Sequence, residues 1–234
     1  MKEQPKPLEM MDLGLCEYRP VLEAQERLVA RRKEDDIPDT LLLVEHKPVY
    51  TLGRNADKSH ITADHSELRC MGISVEDTGR GGDVTYHGPG QLVGYPIIKL
   101  SGHGRGAVWY VDKIEEFIIA VLSEFGISGT TDPENRGVWI GSNKIAAIGV
   151  RITRQITMHG FALNVNPDLN HYTGIVACGI VNRGVTSMKE ALPENVSEQI
   201  TMETVKKTAV KKFRSVFGYS KKGIIRRVKS PDLV

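Results

Sequence analysis

Gly79-Arg-Gly-Gly-Asp-Val-Thr-Tyr-His-Gly-Pro-Gly-Gln91 is the most unusual stretch of this chain. It holds five glycines in thirteen residues, more than packing alone would ask for. Glycine permits positive φ and lets backbone come close to a ligand with its N–H groups turned outward. A long turn between two strands explains the glycines but not why Arg80, Thr85, Tyr86 and His87 interleave with them. Arg80 is suited to an anionic group, and Tyr86 and His87 carry polar tips on apolar bodies. The stretch lacks the Gly-Lys-Ser/Thr ending of a P-loop, and Val84 stands where GxGxxG would need its third glycine.

Outward from this segment, Ile73-Ser-Val75 leads into it and Leu92 to Leu100 leaves it as an extended, proline-interrupted run. Leu41-Leu-Leu-Val44 suits a central strand, and Val49-Tyr-Thr-Leu52 is another, ended by Gly53. Val138-Trp-Ile140 and Lys144 to Ile152 read as a hairpin around Gly141-Ser-Asn143, with Ile156 to Val165 as a third strand. Helical spacing marks Val21 to Glu34, Val111 to Phe125 and Val205 to Phe217, the last two closed by Gly126 and Gly218. Strands and helices mix without strict alternation. The expected fold class is therefore α/β with a mixed or antiparallel α+β sheet, not a doubly wound one.

With 234 residues, 40% hydrophobic and 26% charged, the chain has the make-up of a globular protein with room for a buried core. No apolar run approaches a membrane span, and Met1-Lys-Glu-Gln-Pro-Lys-Pro7 is too polar for a secretory signal, so the expected compartment is the cytoplasm. Three cysteines (Cys16, Cys70 and Cys178) without paired spacing argue against a disulfide framework and a CxxC zinc site. The seven histidines are scattered and form no HExxH, so no metal is expected. Between Lys206 and Lys229 stand ten Lys/Arg and no acid, leaving 21 basic against 29 acidic residues elsewhere. Such a segment fits either an anionic partner or a solvated helix face.

Two single residues carry candidate chemistry. Strand alternation groups Lys144 with Ala146, Ile148, Val150 and Ile152, an apolar face on which a lysine would be desolvated and usable as a base. The competing reading is a strand-end lysine that reaches water with its ammonium. Cys178 lies in Gly174-Ile-Val-Ala-Cys-Gly-Ile180, a small-residue setting that suits a nucleophile on a tight turn with a free N–H beside it for an oxyanion. A buried strand cysteine would look the same.

Arg80-Gly-Gly-Asp-Val-Thr-Tyr-His-Gly-Pro-Gly-Gln-Leu-Val-Gly-Tyr-Pro96 resembles the signature of the lipoyl(octanoyl) transferase family. Further matches follow in the family's order: Glu45-His-Lys-Pro-Val-Tyr-Thr-Leu-Gly-Arg54, Gly137-Val-Trp-Ile140, Lys144-Ile-Ala-Ala-Ile-Gly-Val-Arg151, His159-Gly-Phe-Ala-Leu-Asn164, Cys178-Gly-Ile180 and Gly184-Val-Thr-Ser-Met188. The resemblance spans residues 12–217 as one catalytic domain, between a polar extension at 1–11 and a basic tail at 218–234.

The resemblance implies a biotin/lipoate protein ligase-like core and an acyltransferase of lipoate biosynthesis and protein lipoylation that needs no cofactor. The donor would be octanoyl-acyl carrier protein. The acceptors would be lipoyl domains of 2-oxoacid dehydrogenase complexes and the glycine cleavage H protein, with no nucleic acid or membrane partner. The acyl-thioester cysteine falls on Cys178 and its activating lysine on Lys144. Substrate binding falls on Arg80, Gly81, Gly82, Asp83, Val84, Thr85, Tyr86 and His87, on Ala147, Ile148 and Gly149, and on Gly160, Phe161 and Ala162. Two positions depart from the pattern: Ala177 stands where proline commonly precedes the cysteine, and Asp83 occupies a variable position. Competing functions are an ATP-dependent lipoate or biotin ligase on the same fold, a non-catalytic carrier- or nucleic-acid-binding module, and a cysteine hydrolase.

Overall fold

The structure is a computed structural model that describes residues 6–103, 106–179, 183–220 and 225–227. The Cys178 side chain, Ile180 and most of the basic tail fall outside the described residues. In chain order the elements are β1 (Leu8–Cys16), α1 (Tyr18–Lys33), β2 (Asp39–His46), β3 (Val49–Leu52), α2 (His65–Met71), β4 (Ser74–Asp77), β5 (Val84–His87), β6 (Gln91–Ile97) and α3 (Ala107–Glu124). There follow β7 (Thr130–Thr131), β8 (Val138–Ile140), β9 (Asn143–Thr153), β10 (Ile156–Asn164), β11 (Gly184–Val185), α4 (Glu194–Ser197), α5 (Met202–Phe217) and β12 (Ile225–Arg227).

The large sheet runs β12-β1-β2-β6-β10-β9-β8-β7, with β11 beside β9. Its β1–β2 and β9–β11 pairs are parallel, while β2–β6, β6–β10 and β10–β9 are antiparallel. This is the mixed sheet expected from the unordered mingling of strands and helices. Both faces are covered. Leu41 and Leu43 of β2 point into a cluster under α3 and α5, and Leu42 and Val44 point into a second cluster under α1. A strand buried on both faces needs an unbroken apolar run, which is why Leu41–Val44 has no polar alternation. A second sheet, β4-β3-β5, carries a third cluster built on Tyr50, Leu52, Val84 and Tyr86. No helix among the described residues is long and apolar enough to cross a membrane.

Three features differ from the sequence reading. The glycine-rich stretch is not one loop, because Val84-Thr-Tyr-His87 pairs with β3 as β5. Residues 8–11 are no extension: they begin β1, and Leu8 and Met10 are buried in the core. After Gly218, Tyr219 is buried, and Ile225–Arg227 pairs in parallel with β1, so part of the basic tail belongs to the sheet. Lys206 and Lys212 of the basic segment sit in α5 and pair with Asp12 and Glu124 at 3.0 and 2.5 Å.

Candidate active site

The site begins with a fault in β9. Val138 pairs with Ala146, and Trp139 pairs with Lys144, so Ile145 is an extra residue on the β9 side. A bulge of this kind breaks the alternation of faces. Ile145 and Ala146 both point into the cluster under α3. Lys144 is displaced to the other face with Trp139, its ammonium 4.7 Å from the Trp139 ring centroid. The simple alternation that grouped Lys144 with Ala146 and Ile148 therefore fails at its first residue. Lys144 is nonetheless 8% exposed, so it is no snorkelling strand-end lysine. Its Nζ donates to the Arg136 carbonyl at 3.2 Å.

That carbonyl is itself held. Glu115, 3% exposed on α3, accepts Arg136 Nη1 at 2.7 Å and the Gly137 N–H at 3.0 Å. No sequence motif marks Glu115. Its signal was a carboxylate on the apolar stripe of α3, in helical register with Val111 and Ile118.

A cavity of about 410 Å³ opens from Lys144 along the α1 side of the large sheet. Its floor is a trough of small residues set side by side: Gly160 opposite Gly149 and Ala162 opposite Ala147. Ile148 and Phe161 line it as well. The glycine loop forms the opposite wall with Arg80, Gly81, Gly82, Asp83, Thr85 and His87. Glycine is required where these walls meet. A Cβ on Gly53 would lie 2.1 Å from the Gly82 carbonyl oxygen, and one on Gly81 would lie 2.9 Å from that of Val150. Val84 and Tyr86 do not face the cavity. They alternate to the far side of β5, where the Tyr86 hydroxyl lies 2.7 Å from His171 Nδ1. Arg80 is not an open anion site either. Its guanidinium donates to the Thr51 carbonyl and hydroxyl and to the Gly81 carbonyl, tying the loop to β3.

Two buried histidines, His87 and His159, line the inner end, and a third, His46, lies behind His87 with ring centroids 5.9 Å apart. His46 places Nδ1 3.2 Å from the Cys16 carbonyl and Nε2 2.7 Å from the Tyr95 hydroxyl. A carbonyl only accepts, so Nδ1 carries the proton and Nε2 accepts from Tyr95. Burial pushes His46 down to about 4. Burial, then the neighbouring charge of His46, pushes His87 down to about 3, and its Nδ1 meets Gln91 Oε1 at 2.7 Å. Burial and then Arg80 take His159 down to about 3, and its backbone holds a left-handed φ of 58°. Tyr18, which stacks on His87, is pushed up to about 12 by burial. At neutral pH this end of the cavity is thus uncharged apart from Arg80. Tyr18, His46 and Tyr95 were not singled out from the sequence, because they lie on three separate elements.

Cys178 lies in a 3-10 turn over Ala177–Gly179. Ala177 shares a narrow cleft with Lys144, Thr85, Asn164 and Tyr172, which joins the cavity at Lys144. Asn164 frames that cleft, accepting from Gln91 at 2.9 Å and donating to the Thr186 carbonyl at 2.9 Å. The fold therefore brings Lys144 and the Cys178 turn, thirty-four positions apart in sequence, to one opening. The free N–H expected just after the cysteine is not free: Gly179 donates to the Val176 carbonyl at 3.1 Å.

The model of the lipoyl protein ligase A/B catalytic domain family matches residues 17–214. The chain belongs to this family. Within the family it is similar to an octanoyltransferase of Alkaliphilus metalliredigens, 45% identical over 91% of this chain and 96% of that one. The family fold is seen in a putative lipoate protein ligase of Thermoplasma acidophilum with bound lipoic acid (TM-score 0.72, 13% identity, 96% of this chain and 92% of that one). It recurs in a biotin protein ligase of Aquifex aeolicus in complex with biotin and ATP (TM-score 0.52, 13% identity, 89% and 70%). The lipoyl protein ligase A/B core accounts for the mixed sheet, and the small-residue trough lies on it.

Proposed function

We propose that this chain transfers an octanoyl group from octanoyl-acyl carrier protein to a lysine of a lipoyl domain through a thioester on Cys178, with Lys144 as general base. One observation carries the reading: Lys144 and the turn that bears Cys178 line one narrow cleft, and Lys144 also lines the cavity of about 410 Å³ that the small-residue trough floors. The similarity to octanoyltransferases over most of the chain supports the same reaction.

A thioester donor is already activated, so acyl transfer needs no adenylate. Cys178 passes its proton to Lys144, and its sulfur attacks the octanoyl carbonyl. The carbon–sulfur bond to the carrier's thiol then breaks, and that thiol leaves with the proton. In the second half the acceptor amine attacks the Cys178 thioester, Lys144 takes the amine proton, and the Cys178 thiol is restored. The trough of Gly149, Gly160, Ala147 and Ala162 holds the octanoyl chain, with the neutral histidines and the buried Arg80 at its inner end.

The test is intact mass and peptide mapping after mixing with octanoyl-carrier protein in EDTA without ATP. An octanoyl increment on the Cys178 peptide, absent in Cys178→Ala, is the expected result. Acylation of Cys16 or Cys70, or strict dependence on ATP, overturns the proposal.

A further inference from the structure

Asp83 has no task in the chemistry above, yet it is one of the more tightly held side chains of the glycine loop. Its Oδ2 lies 2.5 Å from His60 Nδ1, and its Oδ1 accepts the Asp57 N–H at 3.2 Å. The pair stands against the turn that bears Cys178. A Cβ placed on Gly179, which has φ 66°, would come within 2.8 Å of Asp83 Oδ2 and 3.3 Å of His60 Cε1. The backbone of the same segment grips the turn from its other end. His60 accepts the Val176 N–H at 2.8 Å, Ile61 bridges to Ile175, and Thr62 and Ala63 both donate to the Gly174 carbonyl.

The turn needs this support from outside. Ala177 leaves φ unrestrained just before Cys178, and Gly179 leaves it unrestrained just after. A flexible nucleophile would spread over positions that do not face Lys144, and misplacement of about 1 Å is enough to cost on the order of a hundredfold in rate.

We propose that His60 and Asp83 act together as positioning residues, a hydrogen-bonded clasp that seats Gly179 and so holds the Cys178 turn at Lys144. This rests on the reading of Cys178 as the acyl-carrying residue. Asp83 and His60 occupy the space that a side chain on Gly179 would need, so their role is exerted through the turn.

The test measures the pH profile of Cys178 alkylation by iodoacetamide, and separately the kcat and KM of acylation by octanoyl-carrier protein. The forms compared are the parent, Asp83→Ala, His60→Ala, the double variant and Asp83→Asn. Loss of the clasp should raise the alkylation midpoint by about one pH unit, because the thiolate loses its cationic neighbour. It should lower the acylation kcat at least about tenfold while KM for the donor changes less than twofold. The double variant should be no worse than either single one, since the two side chains act as a unit. Asp83→Asn, which keeps one acceptor oxygen for the Asp57 N–H and can offer an amide N–H to His60 Nδ1 in its other tautomer, should bring the alkylation midpoint part of the way back towards the parent. His60, partly exposed, gives a variant that keeps the test open if Asp83→Ala does not fold. An unshifted midpoint with kcat within twofold in both single variants overturns the clasp, as does an Asp83→Asn midpoint no better than that of Asp83→Ala. Alkylation needs no acyl donor. A parent that is never octanoylated but shows the shifted midpoints in its variants would sink the transfer reaction and leave the clasp standing.

Discussion

Acidification from pH 7 to pH 5 should destabilise this fold far more than its surface charge suggests, and the buried histidines give the size. His46, His87 and His159 are held at about 4, 3 and 3 by burial. Each returns to about 6.5 in the unfolded chain. Between the two values the unfolded state binds a proton that the folded state refuses. Stability is therefore fully present above about pH 6.5 and is lost as pH falls towards the folded values. At pH 5 the cost is about 2 kcal/mol for each histidine, or about 6 kcal/mol for the three. That approaches the whole stability of an ordinary domain, about 5–15 kcal/mol. The carboxylates do not confuse this window. Asp39, Asp35 and Asp57 are held below the usual carboxylate range, Asp39 by its bonds to His103 and Arg32 against its own burial, so they act only at lower pH. Urea unfolding at pH 7 and pH 5, followed by circular dichroism at constant ionic strength, measures the difference. His46→Gln should remove its own share of about 2 kcal/mol from the pH dependence. A parent that loses less than about 2 kcal/mol over this interval refutes the claim that these rings are buried neutral.

Lys144→Arg keeps a cation near the turn but cannot give up its proton, so it should retain part of the first-step acylation and fail in transfer to a lipoyl domain, whereas Lys144→Ala should lose both. Single-turnover assays of each half separate the cases, and intact transfer in Lys144→Ala would remove Lys144 from the chemistry. Ala147→Leu places a larger side chain over the trough and should shift preference from octanoyl towards butanoyl donors by about 10–200-fold, read as a ratio of kcat/KM values. An unchanged ratio would place the acyl chain elsewhere. Glu115→Ala leaves the buried Gly137 N–H without its acceptor, while the half-exposed Arg136 keeps Asp112, and should cost about 1–3 kcal/mol. Glu115→Gln should cost less, and its transfer rate should fall in step with any loss of Lys144 alignment.

Much of this protein could be read from its residues in order. The apolar run Leu41–Val44 specified a strand covered on both faces, and the 3.6-residue spacing of α3 and α5 specified their buried stripes, because local periodicity and solvent exclusion act on neighbours in sequence. The glycines of Gly79–Gln91 announced close backbone approach, and the ordered motifs announced the family. The sequence did not reveal which way Lys144 points. One extra residue in β9, Ile145, inverts the alternation, and its register is set by pairing with β8 rather than by anything local. Nor could it show that Val84 and Tyr86 turn away from the cavity while Thr85 and His87 turn towards it, because β5 takes its facing from β3. The meeting of Lys144 with the Cys178 turn, and of His60 with Asp83, depends on contacts between segments distant in the chain. Only the packing of sheets and helices into one body decides such contacts, and no pattern among sequence neighbours encodes them.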